Sequence, residues 1–175
     1  MMDAHVRLRL TTPADLDRLV AIKMDSSLWE YEDFVPTDAA ALRAKLQRRM
    51  DGGVFRQYFI LSDDGTIVGE LHAHPYVPER KSWEIGYAVF PEHRRKGYCL
   101  AAVRIALEDA FEKDGAHKVV AMCNAHNAGS AGVLEKAGMT REGVFRKELP
   151  WRGTWADQWF YCILDEEYAK TAANR

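Results

Sequence analysis

Cysteine is scarce in this chain. Cys99, Cys123 and Cys162 are the only three among 175 residues, an odd count with no Cys-x-x-Cys pair and no Cys/His spacing of the kind that holds zinc. A disulfide framework and a metal-organised fold are both excluded, no metal ligand set is expected, and a reducing cytoplasm is the simplest compartment. No apolar run approaches the length of a membrane span, and there is no charged-then-apolar secretory start. An excess of either charge is also lacking. The 24 Lys and Arg nearly cancel the 26 Asp and Glu, leaving a formal net charge of −2, so no overall field draws the chain to nucleic acid or to an anionic membrane. Internal repeats, low-complexity tracts and linkers are missing as well.

With 47% hydrophobic and 29% charged residues, the composition is that of an ordinary globular protein, and one domain over 1–175 is expected, long enough for a real core. Val6, Leu8 and Leu10 alternate with Arg7 and Arg9 as in a half-buried strand. Thr12 and Pro13 open a helix that buries Leu16, Leu19 and Val20. A second helix is expected from near Thr37, burying Leu42, Leu46 and Met50 and stopping at Gly52 and Gly53. Asp64-Gly65 joins strand-like runs at 58–62 and 66–74 as a hairpin. Further strand-like runs lie at 82–90, 118–123, 141–149 and 155–164. The expected architecture is a mixed α/β sheet with few helices.

The richest local signal is 91–100, Pro-Glu-His-Arg-Arg-Lys-Gly-Tyr-Cys-Leu. It follows an apolar strand-like run at 85–90 and precedes an amphipathic helix with Leu100, Val103, Leu107, Ala110 and Phe111 on one face. The first N–H groups of a helix have no intrahelical partner and the dipole is positive there, so such an end attracts an anion. Gly97 allows close backbone approach to a phosphate, and Arg94, Arg95 and Lys96 add positive charge. The spacing is neither that of a dinucleotide-binding glycine loop nor that of a P-loop. A basic helix start with no ligand is the plainer alternative. About thirty residues on, a buried strand-like run at 119–123 leads into Asn124-Ala125-His126-Asn127-Ala128-Gly129-Ser130 and a short helix that Gly138 ends. Asn127 and Ser130 both suit a helix start, where a side-chain oxygen meets an early backbone N–H.

Taken together, these two segments resemble the GNAT acetyltransferase superfamily, and in particular its RimJ/RimL branch, whose members acetylate the N-termini of ribosomal proteins. Arg94 and Gly97 fill the first two positions of the family's Gln/Arg-x-x-Gly-x-Gly/Ala loop. Cys99 stands where Gly or Ala is usual. The run from Asn127 and Ser130 to Glu135-Lys136-Ala137-Gly138-Met139 resembles the family's Asn-x-x-Ser…Glu-Lys-x-Gly-Met/Phe, and Glu142-Gly143 continues it. The resemblance covers about residues 83–168. It implies the GNAT acyl-CoA N-acyltransferase fold, a central, mostly antiparallel sheet flanked by about four helices. It also implies direct transfer of an acetyl group from acetyl-CoA to a primary amine within a ternary complex.

Carried over by resemblance, the backbone of Ala88, Val89 and Phe90 holds the pantetheine arm. The loop Arg94, Arg95, Lys96, Gly97, Tyr98 and Cys99 holds the pyrophosphate, Asn127 contacts the arm, and Ser130 serves as acid or hydrogen-bond donor to the departing thiolate. A capping role for Ser130 is the alternative. Candidate general bases are Glu84, beside the loop, and Glu148, near the end of the next-to-last strand; ordered water leading to bulk would replace either. Glu70, His72 and His74 share one face of a central strand. The acceptor is expected against Trp29, Glu30, Tyr31, Glu32, Asp33 and Phe34, where acids attract a cationic amine and aromatic faces add cation–π attraction, and against the turn at Trp151. Asp157 just after it suits a turn. The expected partner is an amine acceptor, a small molecule or a protein N-terminus, with no nucleic acid or membrane, and a monomer or homodimer is expected. A catalytically idle acyl-CoA-binding sensor or assembly module would need only the phosphate loop. Asn127 and Ser130 argue against it.

Overall fold

The computed structural model describes residues 4–173. β1 (Val6–Leu10) runs into a single 3-10 turn at Pro13–Asp15 and then α1 (Leu16–Met24). Asp15 fixes this corner: it accepts from the Thr12 backbone at 2.9 Å and takes both guanidinium nitrogens of Arg9 at 2.9 and 3.0 Å. α2 (Ala39–Asp51) starts just beyond the expected Thr37, because Asp38 caps it by accepting from the Ala41 N–H. β2 (Arg56–Ser62) and β3 (Ile67–Val77) form the expected hairpin, its turn tied by Asp64 to the Ser62 hydroxyl and the Thr66 N–H.

β4 (Ser82–Val89) leads through the basic loop to α3 (Tyr98–Glu108), which loosens into a π turn at Asp109–Lys113. β5 (Lys118–Asn124), α4 (Ala128–Lys136), β6 (Thr140–Trp151) and β7 (Thr154–Leu164) follow. A fifth helix, α5 (Asp165–Ala173), was not expected. Three acids in its first turn suit the positive end of the helix dipole, and Tyr168 is buried against Phe111 with ring centroids 4.8 Å apart.

Seven strands make one mixed sheet in the order β1-β2-β3-β4-β5-β7-β6. Every neighbouring pair is antiparallel except β4 and β5. On one face α1 and α2 pack Leu16, Leu19, Leu42 and Leu46 over Phe59. On the other, Val103 and Leu107 of α3 and Leu134 of α4 close over Leu71, Ile85, Val119 and Ile163.

The parallel junction positions the site. Ser82, Trp83 and Glu84 pair with Lys118, Val119 and Val120, and there the pairing stops, although β4 continues to Val89 and β5 to Asn124. Each strand stays held on its other side, β4 by β3 as far as Val89 and β5 by β7 as far as Asn124. The sheet therefore opens like a V, with a bare backbone edge on each arm.

Candidate active site

A cavity of about 240 Å³ lies in the mouth of this V. β3 contributes Glu70 and His72, β4 contributes Glu84 and Tyr87, and β5 contributes Cys123 and Asn124. Asn127 and Ser130 close the end nearest α4. Alternation along β4 explains why one cavity gathers such different groups. Glu84 and Gly86 point to the face of α1 and α2, while Ile85 and Tyr87 point to the face of α3 and α4, and the gap between β4 and β5 joins the two.

At the far end of β4 the chain enters the basic loop. Gly97 precedes α3 with φ +85°, a left-handed backbone that other residues adopt only under strain. It is exposed and has no side chain to cap the helix, so among the described residues no side-chain cap takes up the N–H groups of the first turn. Arg95 and Lys96 are exposed beside it. Arg94 donates through Nε to the Val89 carbonyl at 3.2 Å, which ties the loop to β4. Phe90 is buried and Ala88 and Val89 half-buried. Tyr98 packs on the core, and burial pushes the Cys99 thiol up to about 12. A phosphate at the helix start and an extended arm along the bare edge of β4 both fit this arrangement.

Asn127 caps α4, its Oδ1 accepting from the Ser130 N–H at 3.0 Å. The Ser130 hydroxyl stays free of that bond and lies 3.0 Å from the Tyr87 hydroxyl, which also lies 3.2 Å from the Ser130 carbonyl. Burial holds the Tyr87 phenol well above its ordinary pKa, so it keeps its proton. Tyr87 was not singled out in the sequence. Its alternation with Ile85 was visible, but nothing local tied it to a serine 43 positions on.

The carboxylates divide sharply. Glu84 lines the cavity, and burial raises its pKa, with His74 pulling the other way. Glu148 is exposed on β6 and its neighbour Leu149 faces the cavity instead; β6 is irregular here, with Lys147 at φ +51° and its N–H bonded to Asp157 at 2.8 Å. Glu70 is 2% exposed and pairs with Lys23, whose ammonium lies 4.8 Å over the Trp29 ring. The other carboxylate oxygen of Glu70, Oε2, is buried with no hydrogen-bond partner. His72 lies flat on Gly86, where a Cβ would come within 2.3 Å of its ring. Burial pushes its pKa down to about 3, leaving it neutral.

The expected acceptor segment is split. Trp29, Tyr31, Glu32 and Asp33 line the cavity, whereas Phe34 is 70% exposed. Loss of solvent around the Glu32 carboxyl, and then Asp33 beside it, raise the pKa of Glu32. Glu30 points away: it pairs with Arg152 at 2.9 Å and lies 4.0 Å from Arg94. Trp151 does not line the cavity but a neighbouring groove at 150–155; from there it braces the segment, stacking on His126 at 4.5 Å and Tyr31 at 6.2 Å and donating through Nε1 to the Glu30 carbonyl.

The chain matches the acetyltransferase (GNAT) domain over residues 5–140 and belongs to that family. Acetyltransferases of this family use acetyl-CoA. Among similar proteins, the uncharacterized N-acetyltransferase YnaD of Bacillus subtilis is 36% identical over 109 residues, 62% of this chain and 64% of YnaD, so the match spans just under two thirds of that relative. A second B. subtilis protein, named "Putative ribosomal N-acetyltransferase YdaF", is 26% identical over 95% of each chain. The structure of a GNAT-family acetyltransferase from Bacillus anthracis superposes with TM-score 0.78 at 27% identity, covering 94% of this chain and 98% of that one. The fold is also that of a spermidine N-acetyltransferase from Vibrio cholerae, solved with CoA and spermine, at TM-score 0.86, 19% identity, and 94% and 98% coverage.

Glu84 allows a direct test of the electrostatics. A carboxyl whose folded-state pKa is raised keeps its proton where the unfolded chain has lost it. Folding stability therefore falls as pH rises from the ordinary carboxylate range through the raised value. Glu84→Gln removes that penalty. In urea unfolding, the stability of the variant relative to the original should increase as pH rises above the ordinary carboxylate range. A difference that does not move with pH would mean that burial costs this carboxylate nothing.

Proposed function

We propose that the protein transfers an acetyl group from acetyl-CoA to a primary amine that is positively charged in solution, a small cationic amine or a protein N-terminus. The carrying observation is the charge balance of the cavity. Four carboxylates, Glu32, Asp33, Glu70 and Glu84, face one cationic side chain, Lys23, and a buried oxygen of Glu70 lacks a donor. A cation entering this mouth would supply that missing donor. Trp29 and Tyr31 offer ring faces to the same cation. The spermine-bound neighbour of the same fold is consistent with such an acceptor.

The cofactor supplies an acetyl group activated as a thioester. The α3 N-terminus and the basic side chains at 94–96 would hold its pyrophosphate, and the bare edge of β4 at Ala88 and Val89 its arm. Asn127, its oxygen engaged in the cap, keeps an amide NH2 for the same ligand. Glu84 takes a proton from the ammonium, because it lines the cavity that the amine enters and burial raises its pKa. The Ser130 hydroxyl, held by Tyr87, gives a proton at the departing sulfur. The N–C bond forms as the C–S bond breaks; of the two protons that the nitrogen loses, one passes through Glu84 to solvent and the other restores the Ser130 hydroxyl after it has protonated the sulfur. Transfer is direct. The thiols that could carry the acetyl group, Cys123 and Cys99, are pushed up to about 11 and about 12 by burial, so neither is a thiolate nucleophile at neutral pH.

The reading is tested by thiol release from acetyl-CoA against a panel of polyamines, amino sugars and N-terminal peptides; no release with any amine would overturn it. Gly97→Val puts a branched side chain on a left-handed backbone at the helix start. It should weaken acetyl-CoA binding tenfold or more, about 1.4 kcal/mol, by calorimetry, and an unchanged affinity would remove the loop from the binding site. Ser130→Ala should lower kcat about a hundredfold or more, the worth of a donor aimed at developing charge, with KM for acetyl-CoA nearly constant. A rate within about twofold of the original would leave Ser130 a helix-start residue only. The double variant Glu32→Gln, Asp33→Asn should raise KM for the amine and not for acetyl-CoA, with the difference shrinking in high salt. Equal amine KM values would place selectivity elsewhere.

A further inference from the structure

On the α1 and α2 side of the cavity, three side chains converge that the transfer reaction does not require together. His72 and His74 stand two apart on β3 and so share a face. Their partners across the β3–β4 ladder are Gly86 and Glu84. The glycine leaves room for the His72 ring, and Glu84 stands opposite His74. The ligating atoms of His72, His74 and Glu84 all lie within 4.8 Å of one another, the one group of three or more His, Cys, Asp or Glu donors that meets so closely among the described residues. We propose that these three side chains bind a zinc-class divalent ion, and that the bound ion blocks acetyl transfer.

The rings are set for the task. The Nδ1 of His74 is 3.2 Å from the Pro75 carbonyl. A carbonyl only accepts, so Nδ1 is the donor there and Nε2 is the nitrogen left to face a metal, the arrangement by which metal-bound imidazoles are usually oriented. His72 is fixed against Gly86 and stacks on Phe55 at 5.3 Å, while His74 meets Phe55 at 4.9 Å. Tetrahedral zinc, with bonds of about 2.0–2.2 Å, holds its donors roughly 3.4 Å apart, so small rotations of half-buried side chains close the triangle. Two imidazoles and one carboxylate suit zinc and its neighbours in the transition series. Magnesium and calcium prefer oxygen alone. The cavity mouth supplies the entry path and the fourth position. The nearby cations are already engaged: Lys23 pairs with Glu70, and the Arg49 guanidinium lies 4.0 Å over the Phe55 ring.

Binding of the ion does not depend on what the enzyme acetylates. The block rests on Glu84 being the proton acceptor of the proposed function, because a carboxylate bound to metal cannot take a proton from an amine.

The test uses the full chain stripped with chelator and titrated with zinc chloride by calorimetry, with cobalt(II) absorption as a second readout. One ion per chain should bind. His74→Gln should lower affinity at least about tenfold, and His126→Gln, which alters a ring stacked on Trp151 outside the cluster, should leave it unchanged. Circular dichroism and acetyl-CoA affinity report that the variants are folded. Failure of the original protein to bind zinc, or equal affinity in His74→Gln, would overturn the site. In the transfer assay each protein is compared with itself, with and without zinc: the original should be inhibited, and His74→Gln should resist zinc. Zinc binding that needs His74 but leaves transfer untouched would uphold the metal site and overturn Glu84 as the base.

Discussion

Everything at the candidate site depends on two parallel strands that pair for three residues and then separate. A sheet normally satisfies its backbone by continuous ladders. Here β4 and β5 each keep one ladder, to β3 and to β7, and leave the inner one unmade beyond Glu84 and Val120. The opening does three things at once. It bares backbone groups for an extended ligand, it joins the two faces of the sheet, and it brings the end of β4 and the end of β5 to a common mouth. The basic loop and the α4 cap follow directly from those two strand ends, which is why segments thirty residues apart in sequence serve one site.

The charge arrangement has the same origin. Side chains on the α1 and α2 face of β3 and β4 would be packed under helices if the sheet were closed. Because it opens, His72 and Glu84 sit at the border between core and solvent beside the buried Glu70, and desolvation shifts the titration of both. Glu70 keeps Lys23, Glu84 has its pKa raised, and His72 is held neutral. Among residues of ordinary composition, this border is where a proton can be moved at moderate cost.

What was legible in the sequence was what short range determines. The β1 alternation at Val6 and Leu8, the Asp64-Gly65 hairpin, the glycine before α3 and the Asn127 cap all appear where local chemistry put them, whereas Leu10, expected on the buried side of β1, is 53% exposed at the strand end. Helix α5 was missed because its signal is a cluster of acids, Asp165, Glu166 and Glu167, with only Tyr168 buried, so it lacks a strong apolar stripe. The site was legible where motifs carried it and not where the fold did. Glu30 and Phe34 share a segment with Glu32 and Asp33, yet tertiary pairing with Arg152 turns Glu30 outward and Phe34 is left in solvent. Tyr87 and the cross-strand meeting of Glu84 with His74 need the register of β3 on β4, which no spacing along the chain encodes.

The wall of the mouth is fastened by the tie between Trp151 and the Glu30 carbonyl, across 121 positions. Asn124 adds a second tie to the Tyr31 carbonyl, across 93. Closing loops of that size costs entropy that local turns do not. Losing either tie frees a long stretch of chain, whereas the parts of the α3 start lie within a few residues of one another. The two ends of the mouth thus differ in what they depend on: the basic end on local geometry, the far end on the whole fold being in place.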